Sequence, residues 1–165
     1  MRTEKGLKGS AFVAGAMCVS QEEGLDMLMY YEGRPCGMCG LFDTDTLNPL
    51  KTYYVYDAFA DLKELGDCAY TKVDGENVYA VAATNGTENG LLVTMFNDDD
   101  EALPKDICIE ITGGKHGDCV KAEFYLLNET NDLTLMREEF FTSDRFNIRL
   151  KMRNYETYLI KLVKA

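Results

Sequence analysis

The chain has 165 residues, 46% of them hydrophobic, with 28 acidic against 17 basic side chains and a formal net charge of −11. That length suits one ordinary domain or one and a half small ones, the apolar share excludes a disordered chain, and the acidic balance argues against nucleic acid or an anionic membrane surface as partner, since both require clustered Lys and Arg. No apolar stretch approaches the roughly 20 residues of a membrane span, and the opening MRTEKGLKGSAFVAGAM, broken by Gly9, Ser10 and Gly15, lacks the apolar run of a signal peptide.

In chain order, residues 3–18 carry Leu7, Phe12, Val13, Ala16 and Met17 at spacings that predict one apolar helical face. The glycines there each cost about 1 kcal/mol against Ala, unless small residues serve close packing on a neighbour. Residues 25–31, LDMLMYY, form a continuous apolar run whose one charge is Asp26, the pattern of a strand buried on both faces. After a loop, Asn48 is the expected N-cap, Pro49 the first helical residue, and Gly66 the stop, with Val55, Phe59 and Leu62 at i, i+4 and i+7 beside Ala58. Helix, buried strand, helix is the repeat of an α/β protein. One strand makes no sheet, so this part either belongs to something larger or borrows its neighbours.

From residue 68 the pattern becomes antiparallel β. Strands are predicted over residues 78–84, 91–97, 107–112, 120–126, 145–153 and 155–163, while 133–141 fits strand or helix. Ile107, Ile109 and Ile111 share one face, and Phe146, Ile148, Leu150 and Met152 alternate with Arg145, Asn147, Arg149, Lys151 and Arg153. Six short strands separated by turns predict a β-sandwich. The expected fold class is therefore mixed: a helix-strand-helix unit over residues 1–66, then an antiparallel β-sandwich over 67–165.

Six cysteines, Cys18, Cys36, Cys39, Cys68, Cys108 and Cys119, sit in a chain too long and core-rich for a disulfide scaffold. Their use as small core residues, as in ICIEI, points to a reducing compartment. The sequence YYEGRPCGMCG, residues 30–40, holds Cys36 and Cys39 three apart. A zinc half-site needs two further ligands in a similar hairpin. A thioredoxin-like motif needs a helix opening directly after it. The bland alternative is two small thiols in a loop, and the expectation is no metal and no cofactor. Glu22 with Glu23 and Glu138 with Glu139 are adjacent pairs whose side chains diverge, so they suit solvated faces rather than acid/base pairs. Asp98, Asp99, Asp100 and Glu101 read as a solvated turn or a Ca²⁺ site without EF-hand spacing, Lys115-His116 lies in a Gly-rich turn with no ligand set, and the Asn85 and Asn128 sequons carry little weight without a signal.

Several stretches resemble a known family: Lys5-Gly6, Lys8-Gly9, Ala11-Phe12, Met17, Gln21, residues 25–31, Arg34-Pro35, Gly37-Met38, and residues 40–43 and 46–66. They are similar to the end of the catalytic domain of bacterial glycoside hydrolases of the β-xylosidase-like family 39. The resemblance spans nearly the whole chain and is most specific over 24–66. It implies that residues 1–66 are the last helix-strand-helix unit of a (β/α)8 barrel and that the rest is the accessory sandwich. It further implies that both catalytic glutamates of a retaining hydrolase lie outside this chain, which would act on xylosides or related plant glycosides only within a larger protein. Tyr31, Glu32 and Arg34 would then stand at the C-terminal end of strand 8, where barrel active sites lie. They are the candidate substrate-binding residues, an ion pair or loop anchor being the alternative; Glu32 stands where the family has Asp. The partners implied are carbohydrate in the intact enzyme and a second copy through the uncovered barrel remnant, in the cytoplasm. The competing reading is a stand-alone carbohydrate-binding sandwich using Tyr70, Tyr79, Tyr125 or Tyr158 as sugar platforms, although Trp is absent.

Overall fold

The structure is a computed structural model that describes residues 5–113, 119–143 and 145–165. Lys115 and His116 lie outside the described residues. Two helices, α1 (Leu7–Glu22) and α2 (Lys51–Leu65), precede eight strands. These are β1 (Asp67–Ala69), β2 (Val78–Thr84), β3 (Asn89–Met95), β4 (Lys105–Ile111), β5 (Val120–Leu127), β6 (Asp132–Phe141), β7 (Phe146–Met152) and β8 (Thr157–Lys164). A six-stranded antiparallel sheet runs β1-β2-β3-β8-β5-β6, and β4 pairs β7 in a separate two-stranded sheet. The helices cover one face of the large sheet and β4–β7 covers the other.

Period-two alternation explains this layering. On β3, Leu91, Val93 and Met95 join Ile148, Leu150 and Met152 of β7 in the sandwich core, whereas Leu92 joins Val55, Ala58 and Leu62 of α2. On β8, Ile160 and Leu162 face the sandwich and Leu159 faces the helices. All six predicted strands form, the longest shift at an end being two residues, and the ambiguous segment 133–141 is a strand, β6. The helices of residues 1–66 and the sheet of residues 67–165 share one apolar cluster.

Three local expectations change. The buried stripe of α1 is Ser10, Ala11, Ala14, Gly15 and Cys18, while Phe12 is 59% exposed and packs edge-on against Phe96. Small side chains let α1 lie close to its neighbours, with the predicted Leu7, Val13 and Met17 packed partly buried at the margin of that stripe and Phe12 outside it. Second, α2 is capped by Leu50 rather than Asn48. Residues 48–50 are held extended instead, because Asn48 O accepts from Asp43 N–H at 2.9 Å and Leu50 N–H donates to Leu41 O at 2.9 Å. Gly66 ends α2 as expected, at φ +99.

Third, residues 25–31 form no strand. Among the described residues no ladder runs alongside them, and Leu25, Met27, Leu28 and Met29 stand exposed. A continuous apolar run signals burial on both faces but supplies no neighbours to pair with. The fold class of two helices around an extended apolar segment, then an antiparallel sandwich, otherwise stands.

Gly90 lets the helix layer approach the sheet. A Cβ there would meet Leu62 Cδ2 at 2.4 Å and Leu65 Cδ1 at 3.0 Å. The helix-facing cluster also fixes an expectation about stability. Leu92→Ala, at a position with no exposed surface, should lower unfolding free energy by about 2–5 kcal/mol in urea denaturation. Leu28→Ser, 52% exposed, should stay within about 0.5 kcal/mol. A large loss at Leu28 would place the 25–31 segment inside the core.

Candidate functional site

The segment between α1 and α2, residues 23–50, carries Tyr31, Glu32 and Arg34 together with Cys36 and Cys39, whereas the tyrosines considered as sugar platforms lie beyond α2. The structure brings Tyr31, Glu32 and Arg34 together there. Arg34 Nε donates to Glu32 Oε2 at 2.6 Å, with the Arg34 side chain 73% exposed and that of Glu32 only 15%. Bonding to Glu32 holds the Arg34 guanidinium further above its ordinary pKa. Tyr31 is 72% exposed, and the Tyr31–Glu32 peptide bond is cis. The cluster is thus a largely open ring and guanidinium beside a half-sheltered carboxylate, a donor, acceptor and stacking face in sequence-adjacent positions. An exposed pair of this kind contributes at most about 1 kcal/mol to stability.

Tyr30, which sequence reasoning passed over, ties this segment to the helices. Its hydroxyl donates to Cys39 O at 2.6 Å and its ring lies 5.5 Å from that of Tyr56 on α2. Burial pushes the Tyr30 hydroxyl above its ordinary pKa. It is the one half-buried side chain of the 25–31 run. A hydroxyl within an apolar run was the available signal, because such a group needs a partner when it is covered.

Gly40 closes the far side. A Cβ on it would stand 2.4 Å from Arg34 O and 2.5 Å from Cys36 N, both backbone atoms that cannot swing aside. Beyond it, Asp43 Oδ1 accepts from Asp45 N–H, Thr46 N–H and Thr46 Oγ1, and these bonds hold its carboxyl below the usual range. Such local bonding shapes the turn that leads into α2.

Several of the acidic residues singled out elsewhere are engaged in structure. Lys8 of α1 reaches Asp98 at 3.1 Å and Asp100 at 2.8 Å, so the NDDD run pins α1 to the segment after β3. Glu138 pairs with Lys121 on one face of the β5–β6 ladder and Glu139 with Arg137 on the other. Clefts open on the surface of the described residues. One of about 430 Å³ is lined by Met17, Phe59, Cys68 and Val81 among others, and one of about 260 Å³ by Asp61, Glu64, Glu88 and Lys161 among others. Neither is lined by Tyr31, Glu32 or Arg34.

No family profile matches the chain, and no curated protein matches it in sequence. Solved structures do match in fold. A glucosidase from Croceicoccus marinus superposes with a TM-score of 0.79 at 12% identity over 96% of this chain. A glycoside hydrolase family 30 subfamily 8 xylanase from Clostridium acetobutylicum gives 0.72 at 15% identity, also over 96%. The family 39 enzyme of Xanthomonas axonopodis pv. citri gives 0.69 at 11% identity over 99%. This chain covers 42%, 40% and 42% of those three chains in turn. Its fold is therefore that of part of a glycoside hydrolase chain, and at these identities the likeness speaks for fold alone.

The anchoring of the segment by Tyr30 rather than by the ion pair is measurable. Tyr30→Phe should reduce the protection of amides in residues 30–40 by about 0.5–1.5 kcal/mol in hydrogen exchange, the net worth of one hydrogen bond. Arg34→Ala should change that protection by less than about 0.5 kcal/mol. The reverse order would make the Glu32–Arg34 pair the anchor.

Proposed function

We propose that this chain works as one part of a retaining glycoside hydrolase acting on xylosides or related plant glycosides, and that by itself it carries neither catalytic glutamate. The observation that carries the reading is the exposed apolar segment 25–31 set between two docked helices, in a fold otherwise matched by glycoside hydrolase chains of more than twice the length covered. In the proposed enzyme that segment pairs with further parallel strands, which gives its side chains the two-sided burial their pattern calls for. Tyr31 and Arg34, at the end of the segment, then face the sugar. The ring offers a stacking surface and the guanidinium offers directional donors to hydroxyls, while Glu32 orients the guanidinium.

Retention requires two carboxyl groups about 5–5.5 Å apart across one sugar. The carboxylates that are neighbours in sequence, Glu138 and Glu139, are instead committed to Lys121 and Arg137. The stand-alone binding reading has little support: Tyr79, Tyr125 and Tyr158 are packed against the core clusters, and of the four tyrosines only Tyr70, 90% exposed, is open to a ligand. One isolated ring is no platform.

Purified alone, the chain should not hydrolyse 4-nitrophenyl β-xyloside above the buffer rate, and it should self-associate in sedimentation through residues 25–31. Leu28→Lys should shift it toward monomer. Joined in one polypeptide to barrel strands that supply the two glutamates, it should hydrolyse the xyloside with retention of anomeric configuration, followed by NMR. In that joined enzyme Arg34→Ala should lower kcat/KM by about 10–100-fold, the worth of a charged hydrogen bond. Hydrolysis by the chain alone would overturn the reading.

A further inference from the structure

The turn at Cys36 and Cys39 is left unused by the glycoside hydrolase reading. Residues 37–39 turn, and the chain returns so tightly that a Cβ on Gly40 would lie 3.2 Å from Cys36 Cβ. The Met38 N–H donates to Cys36 Sγ at 3.5 Å. That backbone dipole favours the Cys36 thiolate, and backbone hydrogen bonding lowers the Cys36 thiol below its ordinary pKa. Cys39 is shifted the other way, raised by burial and by the neighbouring Cys36. The remaining groups facing Cys36 are Glu32, which opposes its ionisation, and the Arg34 and Tyr30 side chains.

The other described cysteines lie in different surroundings, Cys119 half-buried just before β5 with its carbonyl accepting from Ala165 N–H at 3.1 Å. Cys18 is buried in the helix cluster, where desolvation pushes its thiol up to about 12. Cys68 and Cys108 are exposed, but Cys68 meets only Gln21 Oε1 at 3.8 Å, and Cys108 sits on β4 opposite Arg149.

We propose that Cys36 and Cys39 form a reversible thiol–disulfide site, with Cys36 as the attacking sulfur, Cys39 as the resolving sulfur and a low-molecular-weight disulfide as co-reactant. The Cys36 thiolate attacks one sulfur of RSSR, forming a Cys36–SR bond and expelling RS⁻, which takes up the proton that Cys36 gave to solvent. Cys39 then loses its proton and attacks Cys36 Sγ. A Cys36–Cys39 disulfide forms, the Cys36–SR bond breaks, and the second RS⁻ leaves and is protonated. Two protein thiols are oxidised and one external disulfide is reduced to two thiols. The turn supplies the required proximity, since the ends of a tight turn lie within about 7 Å and a disulfide spans Cα atoms about 4.4–6.8 Å apart. The site depends only on this loop and stands independently of any sugar chemistry.

The test uses the whole chain, folded, in buffers of reduced and oxidised glutathione, with peptide mass spectrometry to locate the bonds. The expected product is a Cys36–Cys39 disulfide with two glutathione thiols released per chain. Cys39→Ser should stall as a glutathione mixed disulfide on Cys36, and Cys36→Ser should react at Cys39 about tenfold more slowly than the wild type does at Cys36. In the unsubstituted chain, iodoacetamide should label Cys36 about tenfold faster than Cys39 near neutral pH, a readout that needs no variant to fold. Equal labelling rates, a mixed disulfide that forms first on Cys68 or Cys108, or no Cys36–Cys39 bond at any glutathione ratio would overturn the proposal.

Discussion

Leu92 and Leu159 stand opposite each other in the β3–β8 ladder, both without exposed surface, and the helices close over them. The residues beside them in register, Leu91 and Ile160, point the other way into the sandwich. One ladder therefore serves two cores on opposite faces. A slip of one residue would exchange them and set Leu91 against the helices and Leu92 against β4–β7. It would also remove Gly90 from beneath Leu62, the position where the helix side chains leave no room for a Cβ. Fully burying each leucine is worth about 1.5–3 kcal/mol, so the helical part is held to the sheet by the same cross-strand pairs that hold the sheet together.

That attachment determines what residues 25–31 present. Both flanking helices are docked, α1 a second time through Lys8 to Asp98 and Asp100, and α2 through Lys161 of β8 to Asp61 at 2.8 Å. The segment between them is positioned by the core yet excluded from it. Met29 is 83% exposed and Met27 70%. Single exposed apolar side chains are common on any surface, but a run of them in consecutive positions marks a contact surface. Among the described residues nothing covers that run, and this mismatch between pattern and environment is the observation from which the proposal of further strands beside it proceeds.

Elements whose burial follows a two-residue period were legible in sequence. In β7, Phe146, Ile148, Leu150 and Met152 alternate with charged or polar residues, and every member falls on the expected face. The inner face of α1 was not legible, because it is built from Ser10, Ala11, Ala14 and Gly15. Close approach there is a property of the neighbouring element, which a hydrophobic period cannot report. The start of α2 was misread for a related reason: Asn48 and Pro49 have the chemistry of a helix start, but a bridge between Phe42 and Pro49 commits them to extended backbone. In the candidate site the residue types were legible, while the tie from Tyr30 to Cys39 was not, since it joins residues nine apart through a backbone carbonyl.

Under the two proposals above, the loop at residues 30–40 would carry two chemistries on one backbone turn. The close approach of Gly40 to Arg34 O and Cys36 N sets where the guanidinium emerges and also keeps the turn closed behind Cys36. Glu32 belongs to both chemistries, because it accepts from Arg34 Nε and its charge opposes ionisation of Cys36. A ligand that drew Arg34 away would leave the Glu32 carboxylate without its cation and raise the electrostatic cost of a thiolate next to it. A disulfide between Cys36 and Cys39 would remove that cost, since no thiolate would remain for Glu32 to repel. Occupation of Arg34 by a ligand and formation of the disulfide therefore favour each other through a shared carboxylate, and the coupling is reciprocal because it is a free energy between two states of one loop.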